Sequence, residues 1–105
     1  EHTLLYRVSQ EELFISIITH TELYGGKSIW EKSEAREAVD KVLGGLTIIH
    51  LDKNISQKAG YLKVKYGISL FDAIIAASAI NHNLDLVTLN IKDFEIITEI
   101  KLFIE

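Results

Sequence analysis

The sequence predicts an α/β layer fold with a mainly parallel sheet. Short apolar runs rich in β-branched residues, at 12–18, 46–51 and 84–88, alternate with longer segments of helical periodicity. Such alternation of strands and helices along a chain is typical of βαβ units. The chain has 105 residues, of which 48% are hydrophobic, and this is enough for one packed core. We therefore predict a single domain over residues 1–105.

Glycines mark the ends of the predicted helices. A first helix starts near Thr19 and ends at a glycine pair, and a charged amphipathic helix over 31–43 precedes a second pair. A third helix over 56–66 ends at Gly67, which suits a left-handed C-terminal cap. Segment 70–81 is apolar nearly all round, which predicts a helix buried between two layers. The remaining predicted elements are a helical turn over 90–94 and a last strand within 96–104.

The composition excludes several classes of protein. A chain this apolar, with a net charge of only −4, differs from disordered chains. Its longest apolar stretch, at 73–80, is far shorter than the roughly 18 residues that cross a bilayer, and no secretory signal is visible. The absence of cysteine suits a reducing compartment and leaves oxygen or imidazole as metal ligands. We expect a cytoplasmic protein without a membrane segment.

Three acidic residues share one local pattern. Glu22, Asp72 and Asp93 each lie three residues after a residue that favours a helix N-terminus. An acid at this position completes a capping box and interacts with the positive end of the helix dipole, and such a cap stabilises a helix by about 0.5–2 kcal/mol. Taken one at a time, each acid is explained by this structural role.

Taken together, the three acids also predict a metal site. In a parallel sheet, Glu22 and Asp93 follow strands that end at the same edge, and Asp72 can join them from the start of its own helix. Carboxylates about 4 Å apart repel by roughly 1 kcal/mol in water and by about 4 kcal/mol in a partly buried site, so a cluster requires a cation or a proton. Oxygen ligands favour Mg²⁺ or Mn²⁺, which polarises a phosphate and activates a bound water.

Three blocks of the sequence indicate a family. They are 16–26 (SIITHTELYGG), 72–79 (DAIIAASA) and 86–94 (LVTLNIKDF). In order and spacing they resemble the PIN-domain ribonucleases, and more closely the VapC-type toxins of prokaryotic toxin–antitoxin pairs. The resemblance implies a three-layer α/β/α sandwich with a mainly parallel sheet. It also implies an Mg²⁺- or Mn²⁺-dependent endoribonuclease that acts on RNA, forms a homodimer and is inhibited by a bound antitoxin.

The resemblance assigns roles to particular residues. Glu22, Asp72 and Asp93 match the family's second, third and fourth acidic positions, which bind the metal and carry catalysis. Asn90 matches the polar residue that often precedes the fourth acid, and the resemblance implies that it belongs to the metal site, as a ligand or by orienting the other ligands. Thr19 and Thr88 match hydroxyl positions that usually support this site.

The sequence departs from the family at its beginning. The family's first acid lies in an Asp-Thr-Asn-like block at the end of a central N-terminal strand, whereas residues 1–9 resemble the segment that follows this strand. The chain also contains no methionine, so we expect a fragment or a processed chain. We predict that the two strands flanking the missing one have unpaired edges. The expected result is an N-terminally truncated PIN-like domain that is inactive or strongly impaired unless the segment is supplied in another form.

Other polar and aromatic residues are expected to have simpler roles. His20 is interpreted as an exposed residue of a first helical turn, since no second histidine lies at a metal-ligand spacing from it. Lysines form one basic cluster, and contact with RNA requires that they share a face. The aromatic residues can stack on bases or fill a dimer interface, and most aromatic residues at this density belong to the core or to an interface. The lysines are Lys53, Lys58, Lys63 and Lys65, and the aromatic residues are Tyr24, Trp30 and Tyr61.

Two alternative functions stay open. The missing first acid favours a catalytically inactive PIN-like module that binds or assembles with a partner, and such a module would not bind Mn²⁺ at the carboxylates. A related metal-dependent nuclease in DNA or RNA processing uses the same chemistry, and substrate preference distinguishes it from an RNA-cleaving toxin.

Overall fold

The protein, in a computed structural model, is a five-stranded sheet with helices on both faces. The structure describes residues 5–7, 13–88 and 91–102. In chain order the strands are β1 (Leu5–Arg7), β2 (Leu13–Ser16), β3 (Thr47–Ile49), β4 (Asp85–Val87) and β5 (Lys101–Leu102). The helices are α1 (Ile17–Tyr24), α2 (Lys27–Glu31), α3 (Ser33–Leu43), α4 (Lys53–Tyr66), α5 (Leu70–Asn81) and α6 (Ile91–Phe94).

Four of the five strands run in the same direction. The strand order is β3-β2-β1-β4-β5, in which β2 is parallel to β3 and β4 is parallel to β5. Because β1 is antiparallel to both β2 and β4, these two strands share one direction. The carboxyl ends of β2, β3 and β4 therefore lie at one edge of the sheet, which is the usual place for a site in an α/β fold.

The centre of the sheet is held by β1 from the beginning of the chain. Tyr6 pairs with Phe14 of β2 and with Leu86 of β4. The expectation that β2 and β4 have unpaired inner edges is therefore wrong, and so is the interpretation of residues 5–7 as part of a segment outside the sheet. Backbone groups at a buried edge need partners, and the antiparallel strand β1 supplies them to both β2 and β4.

Alternation along the strands divides the core into two layers. On one face, Tyr6 and Leu86 belong to a buried cluster with the apolar side chains of α4 and α5. On the other face, Leu13 and Ile15 line an apolar space together with Leu23 of α1 and residues of α3. Side chains on successive strand positions point to opposite faces, so each strand contributes to both layers. The three-layer α/β/α arrangement predicted from the sequence is confirmed.

Local signals place most helix ends. The α5 helix has the predicted bounds, and α4 begins earlier than predicted because the Asp52 carboxylate accepts a hydrogen bond from the Ile55 N–H at 2.8 Å. The helix predicted over 31–43 is interrupted at Lys32, whose extended backbone (φ −128°, ψ 118°) separates α2 from α3. This break lets Ile29 and Leu43 both become buried. Within the described ranges, every helix is too short or too polar to cross a bilayer.

Candidate active site

Glu22 is positioned by α1, which follows β2 without a loop. Ser16 ends the strand and caps the helix, since its Oγ accepts a hydrogen bond from the Ile18 N–H at 3.1 Å. The helix therefore starts at Ile17 rather than near Thr19, and Glu22 lies in the second turn. The capping-box role predicted for Glu22 is wrong, because Ser16 already satisfies the start of the helix. Helix capping therefore does not explain why an acidic residue occurs at position 22.

Asp72 lies in the first turn of α5, as the sequence predicts. The Ser69 Oγ accepts a hydrogen bond from the Asp72 N–H at 3.0 Å, so Ser69 is the N-cap and Asp72 is the third helical residue. The side chain of Asp72 is half-buried at the end of the helix where the dipole favours negative charge. The capping pattern around Asp72 is confirmed.

Glu22 and the beginning of α5 line one cleft of about 620 Å³. Among the described residues that line it, Glu22 is the single ionisable one. Glu22 is itself exposed, so its carboxylate is hydrated and can be reached by a cation from solvent. Asp72 directly follows two of the lining residues in sequence. The remaining lining residues are Ile18, Thr21, Leu70, Phe71 and Ile74.

Asp93 lies in α6, the short helix that follows β4 and contacts α5. It is exposed, and it occupies the first turn of this helix. Asn90, the predicted capping residue and metal ligand, lies outside the described residues. The roles assigned to Asn90 stay predictions.

The three predicted acids are not assembled into a closed metal site. In the part of the chain that the structure describes, no three acidic or imidazole side chains lie close enough to share an ion. The structure brings Glu22 to the start of α5 and leaves Asp93 on a separate short helix. The donor chemistry, carboxylate oxygens without thiolates, suits Mg²⁺ or Mn²⁺. The assignment of Glu22, Asp72 and Asp93 as metal ligands stays a prediction.

Two buried threonines lie at the same edge of the sheet. The Thr19 hydroxyl is fully buried and has no hydrogen-bond partner among the described residues. Thr88 is also buried, directly after β4. An unpaired buried hydroxyl costs about 1–3 kcal/mol. Because Thr19 is one helical turn from Glu22, its unpaired hydroxyl is an observation of this structure that fits a water or ion held near the cleft.

Tyr6 is a buried polar residue that the sequence analysis missed. Its phenol donates a hydrogen bond to the carbonyl oxygen of Ile75 at 2.9 Å, and so links β1 to α5. Burial raises the pKa of Tyr6, and hydrogen bonds with Ser78 and Ser16 oppose this rise. No local sequence pattern marks Tyr6, because the strand that contains it is only three residues long.

An aromatic array covers the outside of α1 and α2. His20, predicted to be exposed, is half-buried with its ring 5.1 Å from that of Tyr24, and Tyr24 lies 6.2 Å from Trp30. Trp30 donates its indole N–H to the Tyr24 carbonyl oxygen at 2.7 Å and is 63% exposed, so it is not a core residue, and the alternative expectation of an interface position stays a prediction. A hydrogen bond to Asp40 raises the pKa of the Tyr24 phenol.

Comparison with known proteins identifies the family. The family model of the PIN domain matches residues 2–99. A toxin–antitoxin complex from Klebsiella pneumoniae is 34% identical with a TM-score of 0.66, and the match covers 83% of this chain and 70% of that one. VapBC2 from Rickettsia felis, bound to a DNA fragment from their promoter, is 31% identical with a TM-score of 0.76, over 86% of this chain and 72% of that one.

A third solved structure supports the fold. VapBC-1 from nontypeable Haemophilus influenzae has a TM-score of 0.74 at 24% identity, over 92% of this chain and 77% of that one. No curated protein matches the sequence at a significant level. The family match spans nearly the whole chain, and the similar structures are toxin–antitoxin complexes. The chain therefore belongs to the PIN domain family, as a VapC-like member.

Proposed function

We propose that this protein is an Mg²⁺- or Mn²⁺-dependent endoribonuclease, the toxin of a toxin–antitoxin pair. The observation that carries the proposal is the cleft between α1 and α5, in which Glu22 lies beside the first turn of the helix that bears Asp72. This cleft follows the carboxyl end of β2, where α/β folds usually form their sites. Membership of the PIN family supports a nuclease.

The residues of the proposed metal site have distinct roles in the reaction. Glu22, Asp72 and Asp93 would hold the ion, and Asn90 would orient their side chains. When bound, the ion polarises the phosphate and activates a water for in-line attack. The dipole of α5 favours negative charge at the first turn of the helix, where Asp72 lies, and Leu70 and Phe71 give the adjoining cleft an apolar lining.

An antitoxin is the proposed protein partner. The similar structures from Klebsiella pneumoniae and Rickettsia felis are toxin–antitoxin assemblies. By this likeness, we propose that the chain is inhibited by a bound antitoxin, acts as a homodimer and cleaves RNA in the cytoplasm once the antitoxin is lost.

A catalytically inactive PIN-like binding module is the second candidate. An antiparallel β1 occupies the centre of the sheet, where the family has the strand that carries its first acid. The described residues contain no group of three metal ligands. If this candidate is correct, the protein binds its partner but neither binds Mn²⁺ at the carboxylates nor cleaves nucleic acid.

RNA cleavage by the purified chain tests the first proposal. Single-stranded RNA and DNA of one sequence, labelled at the 5′ end, are incubated with the protein in EDTA, Mg²⁺ or Mn²⁺. We expect cleavage of the RNA with metal only, at the strongly reduced rate that the sequence predicts for this chain, and a further loss of about 100-fold or more in Asp72→Asn. Glu37→Gln removes one negative charge from an exposed position on α3 and serves as the control.

The outcomes separate the candidates. Preferential cleavage of DNA would indicate a related nuclease in nucleic-acid processing rather than an RNA-cleaving toxin. No cleavage by a folded chain that still binds an antitoxin would favour the inactive module.

A further inference from the structure

Helix α4 concentrates positive charge in an acidic protein. The chain has a net charge of −4, yet the 14 residues of Lys53–Tyr66 include four lysines and no acid. Lys58 and Lys65 lie on one face of this helix with Tyr61 between them. Their Nζ atoms are 5.0 and 5.5 Å from the centre of the Tyr61 ring. Two of the four lysines predicted to form a basic cluster thus share a face, as contact with RNA requires, whereas Lys53 and Lys63 are exposed residues without a contact to this ring.

Tyr61 is unusual in its exposure. Half of its surface is open to solvent, although an aromatic ring of this size is normally largely buried. The ring lies outside the apolar cluster formed by α4 and α5, so of the positions expected from the sequence only the core is excluded, and base stacking and an interface position stay predictions. Proteins bind single-stranded nucleic acid with aromatic rings and cations together, because bases pack on the rings and phosphates contact the cations. Both ammonium groups lie over the Tyr61 ring, so a base that packs on the ring face takes the place of one of them as it moves to a phosphate.

Glu99 fixes the positions of the two lysines. Its carboxylate oxygens lie 3.1 Å from the Lys58 Nζ and 3.0 Å from the Lys65 Nζ. The hydrogen bond from Lys65 lowers the pKa of Glu99 and raises the pKa of Lys65, so both groups stay charged at neutral pH. One carboxylate between two ammonium groups leaves net positive charge. Each ammonium carries three N–H donors, so a bond to Glu99 leaves donors for a phosphate.

A polar cleft of about 600 Å³ adjoins this cluster, because Lys58 lines both. Amide and imidazole groups predominate in its lining. Groups of this kind hydrogen-bond to base edges and ribose hydroxyls, which is how proteins contact single-stranded RNA. The other lining residues are Asp52, Asn54, Gln57, Asn81 and His82.

We propose that this part of α4, which we call the α4 surface and define by Lys58, Tyr61, Lys65 and the adjoining cleft, docks a single-stranded segment of RNA. Phosphates contact the two lysines, one base packs against the exposed ring, and a neighbouring nucleotide enters the cleft. RNA fits better than an acidic peptide because the ring and the amide groups match bases and riboses as well as charge. The inference rests on the proposed ribonuclease function and gives it a substrate-docking surface.

Binding of a fluorescein-labelled 12-nucleotide single-stranded RNA, measured by anisotropy in EDTA over a range of salt concentrations, tests the proposal. Each phosphate contact to a single strand contributes about 0.7 to the slope of log K against log salt. The double variant Lys58→Gln/Lys65→Gln is therefore expected to lower the slope by about 1.4, which is roughly a 20-fold weaker affinity at 0.1 M salt. Lys27→Gln/Lys41→Gln removes the same charge from exposed lysines on α2 and α3 and is expected to bind within about twofold of the unmodified chain.

Glu99→Gln is expected to change the RNA affinity in the opposite direction. Removing the carboxylate leaves both ammonium groups for phosphate, so the RNA affinity is expected to rise several-fold. A variant that merely damages the fold does not bind more tightly. Equal affinities for Lys58→Gln/Lys65→Gln and Lys27→Gln/Lys41→Gln would overturn the proposal. So would binding of a 12-residue oligo-glutamate peptide as tightly as RNA, which would indicate a site for acidic peptides.

Cleavage is measured separately with Mn²⁺, so that the two proposals can fail independently. RNA bound through the α4 surface without any cleavage retains this inference and removes the ribonuclease. Metal-dependent cleavage, together with an RNA affinity that is unchanged in Lys58→Gln/Lys65→Gln, would retain the ribonuclease and remove this inference.

Discussion

Tyr6→Phe tests how the central strand is held in the core. Tyr6 is fully buried on β1, and its phenol donates a hydrogen bond of 2.9 Å to Ile75 of α5. Phenylalanine keeps the ring and its burial but removes this bond, which is worth about 0.5–1.5 kcal/mol. We expect the free energy of unfolding at pH 7 to fall by about 1 kcal/mol.

The same substitution is expected to stabilise the protein in alkali. Burial raises the pKa of Tyr6 above its ordinary value of 10.0, so the folded chain keeps a proton that the unfolded chain loses. The contribution of the neutral phenol is therefore complete below pH 10 and is lost as the pH rises towards the folded pKa. The loss is about 1.4 kcal/mol per pH unit, or about 2 kcal/mol at pH 11.5.

Urea unfolding followed by circular dichroism between pH 7 and pH 11.5 measures both effects. The stability curves of the unmodified chain and Tyr6→Phe are expected to cross near pH 10.7, where the loss of about 1 kcal/mol equals the lost hydrogen bond. Tyr61→Phe, whose ring is half exposed, is the control and is expected to parallel the unmodified chain. If the stability curve of Tyr6→Phe stays parallel to that of the unmodified chain up to pH 11.5, the burial of this phenol is refuted.

Three further substitutions probe the turn before α5, its cap and the buried threonine. Gly67 has φ +65°, so Gly67→Ala is expected to lower stability in urea by about 1–2 kcal/mol, and an unchanged midpoint would exclude the left-handed conformation. Ser69→Ala removes the acceptor for the Asp72 N–H and is expected to cost about 1 kcal/mol, most of which Ser69→Asn should restore. Thr19→Val removes an unpaired buried hydroxyl and is expected to raise the free energy of unfolding by about 1 kcal/mol while lowering RNA cleavage in Mn²⁺. A loss of stability would show that the hydroxyl has a hydrogen-bond partner in the folded protein.

Helix α5 shows what local sequence signals determine. Its centre is apolar on nearly every side, and Ser69 is a strong capping residue directly before it. Both signals act within a few residues, so the predicted bounds of the helix are confirmed and Asp72 lies where the pattern places it. At Glu22 the same type of signal fails, because Ser16 and Thr19 are both good caps and the pairing of β2 with β3 selects Ser16.

The central strand shows what the sequence does not reveal. Leu5–Arg7 is only three residues long, too short for a periodic pattern, and its conformation depends on pairing with Phe14 of the next strand and with Leu86 far along the chain. Strand formation depends strongly on such non-local context. The break between α2 and α3 at Lys32 is not predictable from the sequence either, because neither glycine nor proline marks it. It accompanies the burial of Ile29 before it and Leu43 after it.

Mn²⁺ binding at the cleft is the most direct test that Glu22 and Asp72 hold one ion. Titration followed by electron paramagnetic resonance is expected to show a bound ion whose affinity falls about tenfold or more in both Glu22→Gln and Asp72→Asn but not in Glu37→Gln. Equal affinities in all four proteins would place the metal elsewhere. No bound Mn²⁺ in the folded, unmodified chain would contradict a metal-dependent nuclease and leave the inactive binding module.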